Sequence, residues 1–324
     1  MTSNHTKPVI SLKIFAGNII DYAGLFPPES LGLGQAFHNY LFYRQGEMKW
    51  MLNKFIIPAS RLEELTDLMK DMKIEGQVLF SVLGSGGDTA EKFKESLEKD
   101  IKNISDFIEN HGQLVSIDAF EVKLPNEIVK PGSGDDLIKL MNEVSDSLEK
   151  ALRKNIPVYF EASLKEEHEA VILRVVESIA GLGNGCGFKL RTGGTEASAF
   201  PAAEQIAFTI MTCCEFEVPM KCTAGLHHPI RHYNSEVSSN MHGFLNVFGA
   251  GILAYTDGFD ESELLEVLDE EDPYEFIFGE EGFEWNGTAV PISEIKEARE
   301  KFMISYGSCS FDEPIEDLKT LELL

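Results

Sequence analysis

The stretch GFKLRTGG, residues 187–194, has the alternation of a β-strand that runs into a glycine turn. Successive side chains of a strand point to opposite faces, so Phe188 and Leu190 share one face and Lys189 and Arg191 share the other. The apolar face suits a covering helix. The two cations therefore predict that the other face of the sheet borders a polar interior.

This strand is one of eight short apolar segments, each followed by a polar turn and, in most cases, by an amphipathic helix. In the helix after the third segment, for example, Leu97, Ile101 and Ile104 recur at spacings of four and three residues. No glycine fingerprint of the dinucleotide or P-loop type follows any of the strands, which disfavours an open doubly wound sheet. We therefore predict a single α/β domain over residues 1–324, a (β/α)8 TIM barrel.

One segment interrupts this rhythm between the seventh and eighth strands. We assign residues 251–303 to an insertion with a helix and a β-hairpin, YEFIFGEEGFEWNGTAV, whose predicted turn is EEG. From Asp257 to Glu284 the chain has 13 acidic residues and no Lys or Arg. A run of this kind is typical of a solvated surface segment.

The overall charge excludes several classes of partner. The formal net charge is -26, from 54 Asp and Glu against 28 Lys and Arg. Nucleic acids and anionic membranes are bound through basic patches, so we expect neither partner. The sequence has no apolar run long enough to cross a membrane, and Lys13 interrupts the apolar part of MTSNHTKPVISLKIFAG, so no signal peptide is predicted. A homo-oligomer remains open.

The five cysteines are odd in number and show no CxxC spacing: Cys186, Cys213, Cys214, Cys222 and Cys309. This usage favours free thiols in a reducing cytoplasm over a disulfide framework or a structural zinc site. Two of them, Cys222 and Cys309, lie near strand ends, where a nucleophile would be placed. Inert packing on an apolar face is the commoner role of such residues.

A polar face is shared by four consecutive predicted strands. Its members are Glu121, Lys123, Tyr159, Glu161, Lys189, Arg191, Lys221 and Thr223. Buried charges are costly unless they pair, so these groups should contact one another or a ligand. The carboxyl ends of barrel strands carry the chemistry of TIM-barrel enzymes, so we predict an anion-accepting site at that face. An ion network that only fills the barrel is the structural alternative.

The motifs of these strands resemble those of class I aldolases of the deoxyribose-phosphate aldolase type. That family has an acidic residue on strand four, a Glu ending strand five, a Schiff-base lysine on strand six and a second lysine on strand seven. AFEVKLP, VYFEASL, FKLRTGG and MKCTAGL occur here in the same order, and the final YGSCS is similar to the family's phosphate-binding turn. The resemblance covers roughly residues 115–232 and that turn. It departs from the family at Arg191, at LHHPIRH and in the insertion.

The resemblance implies a lyase that forms an imine with a small anionic carbonyl compound and needs no cofactor. Lys189 would be the nucleophile, and Lys221 would lower the pKa of Lys189 by like-charge repulsion and desolvation. The sequence does not decide which of the two lysines forms the imine. Glu121 would relay protons to the imine carbon or hydroxyl, and Glu161 is the second catalytic carboxylate.

The predicted substrate contacts surround these groups. Arg191 and Arg231 would hold the anionic group of the substrate, because a guanidinium binds a carboxylate or phosphate with two parallel hydrogen bonds. Asp21 and Tyr22, at the end of the first strand, are expected to border the site. The remaining predicted substrate-binding residues are Lys123, Thr223, His227, His228 and Ser308.

Two other functions remain open. Four histidines follow the seventh strand within sixteen residues: His227, His228, His232 and His242. With Glu161 or Glu121 they would bind a divalent metal such as zinc or manganese for hydrolysis or isomerisation. The first two histidines are adjacent and point apart, and no HxH or HExxH spacing occurs, which weighs against a metal. The other alternative is a non-catalytic barrel that acts as a binding protein through its acidic insertion.

Overall fold

A computed structural model describes residues 8–130, 132, 136–164, 167–183 and 185–324. Residues 1–7, which begin the segment for which no signal peptide is predicted, lie outside this part. Within the described residues the chain forms these strands: β1 Ile20–Tyr22, β2 Leu52–Pro58, β3 Val78–Leu83, β4 Val115–Lys123, β5 Val158–Glu161, β6 Gly187–Arg191, β7 Met220–Thr223, β8 His232–Asn234, β9 Ser239–Met241, β10 Phe276–Phe278, β11 Gly282–Trp285, β12 Thr288–Pro291 and β13 Met303–Ser308.

The helices alternate with the strands along most of the chain. They are α1 Ile10–Phe15, α2 Leu33–Tyr43, α3 Leu62–Met69, α4 Ala90–His111, α5 Asn126–Val129, α6 Asp136–Leu152, α7 His168–Leu182, α8 Ala203–Glu215, α9 Phe244–Asp257, α10 Glu261–Asp269, α11 Ile292–Lys301 and α12 Asp312–Thr320. In the described part of the chain, none of these helices is both long enough and apolar enough for a membrane crossing.

Eight of the strands close into a parallel barrel in the spatial order β1-β13-β7-β6-β5-β4-β3-β2. Each strand is hydrogen-bonded to two parallel neighbours, and the helices between successive strands lie outside the barrel. This arrangement confirms the predicted (β/α)8 TIM barrel. Parallel strands require such crossover helices because a tight turn cannot bring the chain back to the same edge.

The register of the barrel brings the polar positions of neighbouring strands side by side. Lys189 on β6 pairs with Lys221 on β7 and with Glu161 on β5. On the opposite face Phe160 and Phe188 are fully buried in the apolar layer between strands and helices. The face that carries the charged residues therefore points to the barrel axis, as the alternation predicts.

The segment between β7 and β13 contains the predicted β-hairpin and a third strand that pairs with it. Strands β10 and β11 form an antiparallel pair, and β12 extends them to a three-stranded sheet. Asn286 and Gly287 have positive φ angles and link β11 to β12, as in a tight two-residue hairpin. Residue 251, the predicted start of the insertion, lies within α9, which is buried from Phe244 to Ala254. That helix therefore belongs to the core rather than to the surface.

A buried arginine closes the end of the barrel where the strands begin. The guanidinium of Arg299, on α11, donates to the carbonyls of Phe15 (2.8 Å), Gly17 (3.1 Å) and Ile304 (2.9 Å) and also to that of Met303. Burial lowers the pKa of Arg299 to about 9. These hydrogen bonds join the end of α1 to the start of β13. The candidate site lies at the opposite end of the barrel, where the strands end.

Candidate active site

The centre of the barrel mouth is a carboxylate on β4. Glu121 is fully buried, and its Oε2 lies 2.9 Å from Nζ of Lys189. Its Oε1 accepts hydrogen bonds from Ser81 on β3, at 2.5 Å, and from Nζ of Lys221. Burial raises the pKa of Glu121, but the two lysines outweigh burial and hold the pKa well below its usual range. Glu121 is therefore a carboxylate shared by two ammonium groups.

A second carboxylate fixes the lysine of β7. Oδ2 of Asp21, on β1, lies 2.5 Å from Nζ of Lys221 and accepts a hydrogen bond from Ser305 at 2.6 Å. Oδ1 of Asp21 accepts from the backbone N–H of Lys54 at 2.9 Å. Burial lowers the pKa of Lys221, but Asp21 and Glu121 raise it more, so the net shift is upward. Lys221 therefore forms ion pairs with both Asp21 and Glu121.

A third carboxylate stands beside the lysine of β6. Oε2 of Glu161 lies 3.2 Å from Nζ of Lys189, and its Oε1 lies 3.4 Å from Nε of Arg191. Burial raises the pKa of Glu161, but Lys189 and then Arg191 lower it more. The side chain of Arg191 remains 49% exposed, so its other donors face the mouth of the barrel. Its Nη1 donates to the carbonyl of Gly193 at 3.3 Å.

A cavity of about 260 Å³, partly open to solvent, borders this network. Of the lysines that the structure describes, Lys189 alone lines the cavity, and Glu121 and Arg191 line it with Lys189. The walls come from the ends of β7 and β13, from the loops after β1, β6, β7 and β13, and from β2 and β3: Ala23, Phe26, Pro27, Pro28, Ile56, Leu83, Gly194, Thr195, Thr223, Ala224, Gly225, His227, Gly307 and Cys309. A small compound in this cavity would meet one amine, one carboxylate and one guanidinium.

The protonation of Lys189 differs from the sequence-based prediction. Desolvation lowers the pKa of Lys189, as expected, but Glu121 and Glu161 raise it by more, and the net shift is upward. Repulsion from Lys221 is the smallest of the contributions. Lys221 does lower the pKa of Lys189, as predicted, but the carboxylates of Glu121 and Glu161 outweigh this effect, so the predicted net lowering is wrong.

The loops after β6 and β7 are joined by hydrogen bonds of Thr192 and by close contact between their glycines. Oγ1 of Thr192 donates to the carbonyls of Thr223, at 3.2 Å, and Ala224, and the N–H of Thr192 also donates to Thr223 at 2.9 Å. A Cβ on Gly193 would lie 2.8 Å from Cα of Gly225. Residues without side chains are required here, and the rim of the cavity is consequently compact.

Four predicted substrate contacts lie away from the cavity. Lys123 is exposed and borders two neighbouring surface clefts. Arg231 forms ion pairs with Asp269 (3.1 Å) and Glu271 (3.8 Å) of the acidic insertion. The two others are His228, whose Nδ1 lies 2.5 Å from Oδ2 of Asp317, and Ser308, whose hydroxyl donates to the carbonyl of Ser310 at 2.7 Å. Thr223 and His227, by contrast, line the cavity.

The predicted metal site finds no support in the histidine contacts. Among the residues that the structure describes, no three His, Cys, Asp or Glu side chains are grouped in a way that could hold a metal ion. His228 contacts the ring of His232 edge-on at 4.4 Å, and His242 Nε2 lies 2.8 Å from the carbonyl of Pro201. These imidazoles serve as hydrogen-bond partners of the loops and of α12.

Sequence reasoning missed two hydroxyl groups of the network. Ser81 and Ser305 each donate to one of the carboxylates that contact Lys221. Both stand at interior positions of apolar strands, VLFSVL and MISYGS, and a polar residue in such a segment is the signal that would have found them. Asp21, expected only at the border, is an ion-pair partner of Lys221.

Comparisons with known proteins assign no family to this chain. No protein-family model matches this sequence, and none of the curated proteins matches it. The aldolase resemblance therefore rests on the short sequence motifs alone.

Proposed function

We propose that this protein is a lyase of class I aldolase type, in which Lys189 forms an imine with a small anionic carbonyl compound. The observation that carries the proposal is the position of Lys189, whose side chain lines a pocket and whose amine lies between the carboxylates of Glu121 and Glu161. A lysine that served only to fill the barrel would need no open space beside its amine, as Lys221 illustrates with an exposed fraction of 1%.

The two carboxylates would manage the protons of imine formation. One of them takes a proton from the ammonium of Lys189 when a carbonyl compound enters, and the free amine attacks the carbonyl carbon. The same proton then protonates the hydroxyl of the tetrahedral adduct, which leaves as water. In the imine, the nitrogen accepts the electron pair of the carbon–carbon bond that breaks, while a carboxylate removes the proton of the substrate's β-hydroxyl.

The anionic part of the substrate would lie at the rim. The guanidinium of Arg191 is half exposed, borders the cavity and uses only part of its donors on Glu161 and Gly193. A carboxylate or a phosphate suits the remaining donors. The hydroxyl of Thr223 lines the same wall. The volume of about 260 Å³ accommodates a compound of a few carbons rather than a polymer.

Trapping of the imine tests this proposal. The protein is incubated with a panel of small aldehydes and keto acids, borohydride is added, and the adduct is mapped by mass spectrometry of peptides. We expect an adduct on Lys189 that Lys189→Met removes. Lys102→Met is the matched control, because Lys102 lies on the solvent face of α4 and pairs only with Asp106; its adduct yield should equal that of the parent protein.

The other outcomes separate the alternatives. An adduct confined to Lys221 or to surface lysines would contradict the role of Lys189. No adduct, together with zinc or manganese that copurifies with the protein, would favour the metal-dependent hydrolase or isomerase. Neither adduct nor metal, with an intact fold by circular dichroism, would favour the non-catalytic binding protein.

A further inference from the structure

A thiol borders the same cavity as the amine of Lys189. Cys309 follows β13 directly, is 5% exposed and belongs to the cavity wall. The other cysteines differ from it in their surroundings. Cys213 and Cys222 are fully buried in the apolar core, and burial raises the pKa of the Cys222 thiol to about 12. Cys309 therefore has what an inert packing cysteine lacks, an open space for a reactant.

An imidazole lies beside this thiol, and a carboxylate contacts the imidazole. Sγ of Cys309 lies 3.8 Å from Nδ1 and 4.0 Å from Nε2 of His227. Nδ1 of His227 lies 3.1 Å from Oε2 of Glu313, in the first turn of α12. Three different parts of the fold thus supply a carboxylate, an imidazole that the carboxylate orients, and a thiol within reach of the ring.

The imidazole of this group carries a positive charge at neutral pH. Desolvation lowers the pKa of His227, but the contacts with Cys309 and Glu313 outweigh it and raise the pKa to about 10. The hydrogen bond from His227 is also the main reason that the pKa of Glu313 is lowered. His227 is thereby placed as a proton donor beside the sulfur of Cys309.

We propose that Cys309, His227 and Glu313 form a second nucleophilic centre in the cavity, one that adds reversibly to small aldehydes. The sulfur forms a bond to the aldehyde carbon, the electron pair of the carbonyl moves to its oxygen, and the imidazolium of His227 gives that oxygen a proton. The product is a hemithioacetal, and the reverse steps return the aldehyde and restore Cys309 and His227 without an oxidant or a reductant. The choice of aldehydes rests on the proposed function, since cleavage of an aldol compound releases one.

Alkylation of the thiol tests the centre without reference to any enzymatic activity. The protein is treated with iodoacetamide at about pH 7, and the rate at each cysteine is followed by peptide mass spectrometry. We expect Cys309 to react faster than Cys214, a partly exposed thiol whose Sγ donates only to the carbonyl of Ala254. His227→Gln should slow Cys309 about tenfold or more and leave Cys214 unchanged. A rate at Cys309 that His227→Gln does not alter would overturn the proposal.

Protection by an aldehyde separates this centre from the amine. Acetaldehyde should slow the alkylation of Cys309 in the parent protein and equally in Lys189→Met, which has no amine at that position. Lys189→Arg, which keeps the cation between the two carboxylates, replaces Lys189→Met if the latter does not fold.

Each result of the protection experiment decides a different point. Protection that requires Lys189 would overturn the hemithioacetal and leave the imine proposal standing. Protection in both lysine variants, with no borohydride adduct on the parent protein, would support the thiol centre and contradict the imine. Protection in the variants together with an adduct on Lys189 would support both.

Discussion

At the scale of single residues, the two interior lysines have different duties. Lys189 lines the cavity and has two carboxylate neighbours. Lys221 does not line the cavity and is paired with Asp21 and Glu121. Both have raised pKa values, for the same reason, since carboxylates outweigh desolvation at each amine. The difference lies in access. Lys189 is accessible to a reactant, whereas Lys221 neutralises buried carboxylates.

The pH dependence of imine formation should follow the protonation of Lys189. Because its pKa is raised, the free amine is scarce at neutral pH, and the rate of adduct formation should climb as pH rises. Glu161→Gln removes one of the carboxylates that raise this pKa, so the midpoint should move to lower pH by about one unit. The initial rate of trapping on Lys189, measured from about pH 8 to about pH 12, gives the midpoint, because the raised pKa lies above the ordinary lysine value. Glu300→Gln, a surface change, should not move it, and an unmoved midpoint in Glu161→Gln would refute this account.

Loss of Lys221 should destabilise the fold. Lys221→Met leaves Asp21 and Glu121 buried without one of their partners, and removal of one member of a buried ion pair costs about 3–5 kcal/mol. Urea unfolding measures the change in the free energy of unfolding. Lys102→Met, which breaks only an exposed pair with Asp106, should cost less than about 1 kcal/mol. Equal stabilities of the two variants would show that Lys221 is not a structural charge.

At the scale of elements, the segment between β7 and β13 is anchored to the barrel by a polar side chain. Asn246, within the buried helix α9, donates from Nδ2 to the carbonyls of Val267 and Glu270, each at 2.8 Å. Its Oδ1 accepts from the backbone N–H of Arg231 at 2.9 Å. The last turn of a helix has carbonyls without intrahelical partners, and Asn246 supplies donors at the end of α10. One residue thus joins α9, α10 and the loop that follows β7.

Replacement of Asn246 should loosen this junction. Asn246→Leu keeps most of the volume but leaves an N–H and two carbonyls unsatisfied, which should lower the free energy of unfolding by about 1–3 kcal/mol or more. Asn110→Leu, on the exposed end of α4, is the matched control and should change stability by less than about 0.5 kcal/mol. If urea unfolding shows no difference between the two, the three bonds of Asn246 contribute nothing to stability.

At the scale of the whole molecule, the excess of acidic residues causes electrostatic repulsion within the folded chain. Half of the net charge of -26 comes from the segment from Asp257 to Glu284. The structure offsets it only locally, as where Arg231 pairs with Asp269 and Glu271. The cationic groups of the barrel mouth are matched by interior carboxylates, so an incoming anion gains mainly from the half-exposed Arg191.

Salt should therefore stabilise the protein. Screening of like charges reduces the repulsion of the folded state, so Tm should rise by about 3 °C or more between roughly 10 mM and 500 mM sodium chloride. Differential scanning calorimetry gives Tm, and sucrose at equal osmolality separates screening from preferential exclusion. A Tm that falls with salt would mean that attractive ion pairs outweigh the repulsion.

Sequence patterns predicted the architecture because they are local. Alternation within a strand and the 3.6-residue period within a helix depend on neighbours along the chain, so eight strand and helix pairs indicate a barrel. The same alternation placed Glu121, Lys189 and Lys221 on one interior face, and the register of β4 to β7 confirms that placement. The hairpin of the insertion was predictable in the same way, from its turn and flanking strands.

Only the tertiary structure decided which of these residues share a contact. Three features depend on groups that are far apart in the chain. They are the pKa of Lys189, the ion pair of Lys221 with Asp21, and the contacts of His227 with Glu313 and Cys309. Closure of the barrel brings β1 beside β13 and α12 over the loop after β7. Electrostatic and hydrogen-bond energies depend on distance in space and on burial, and neither is a local property of the sequence.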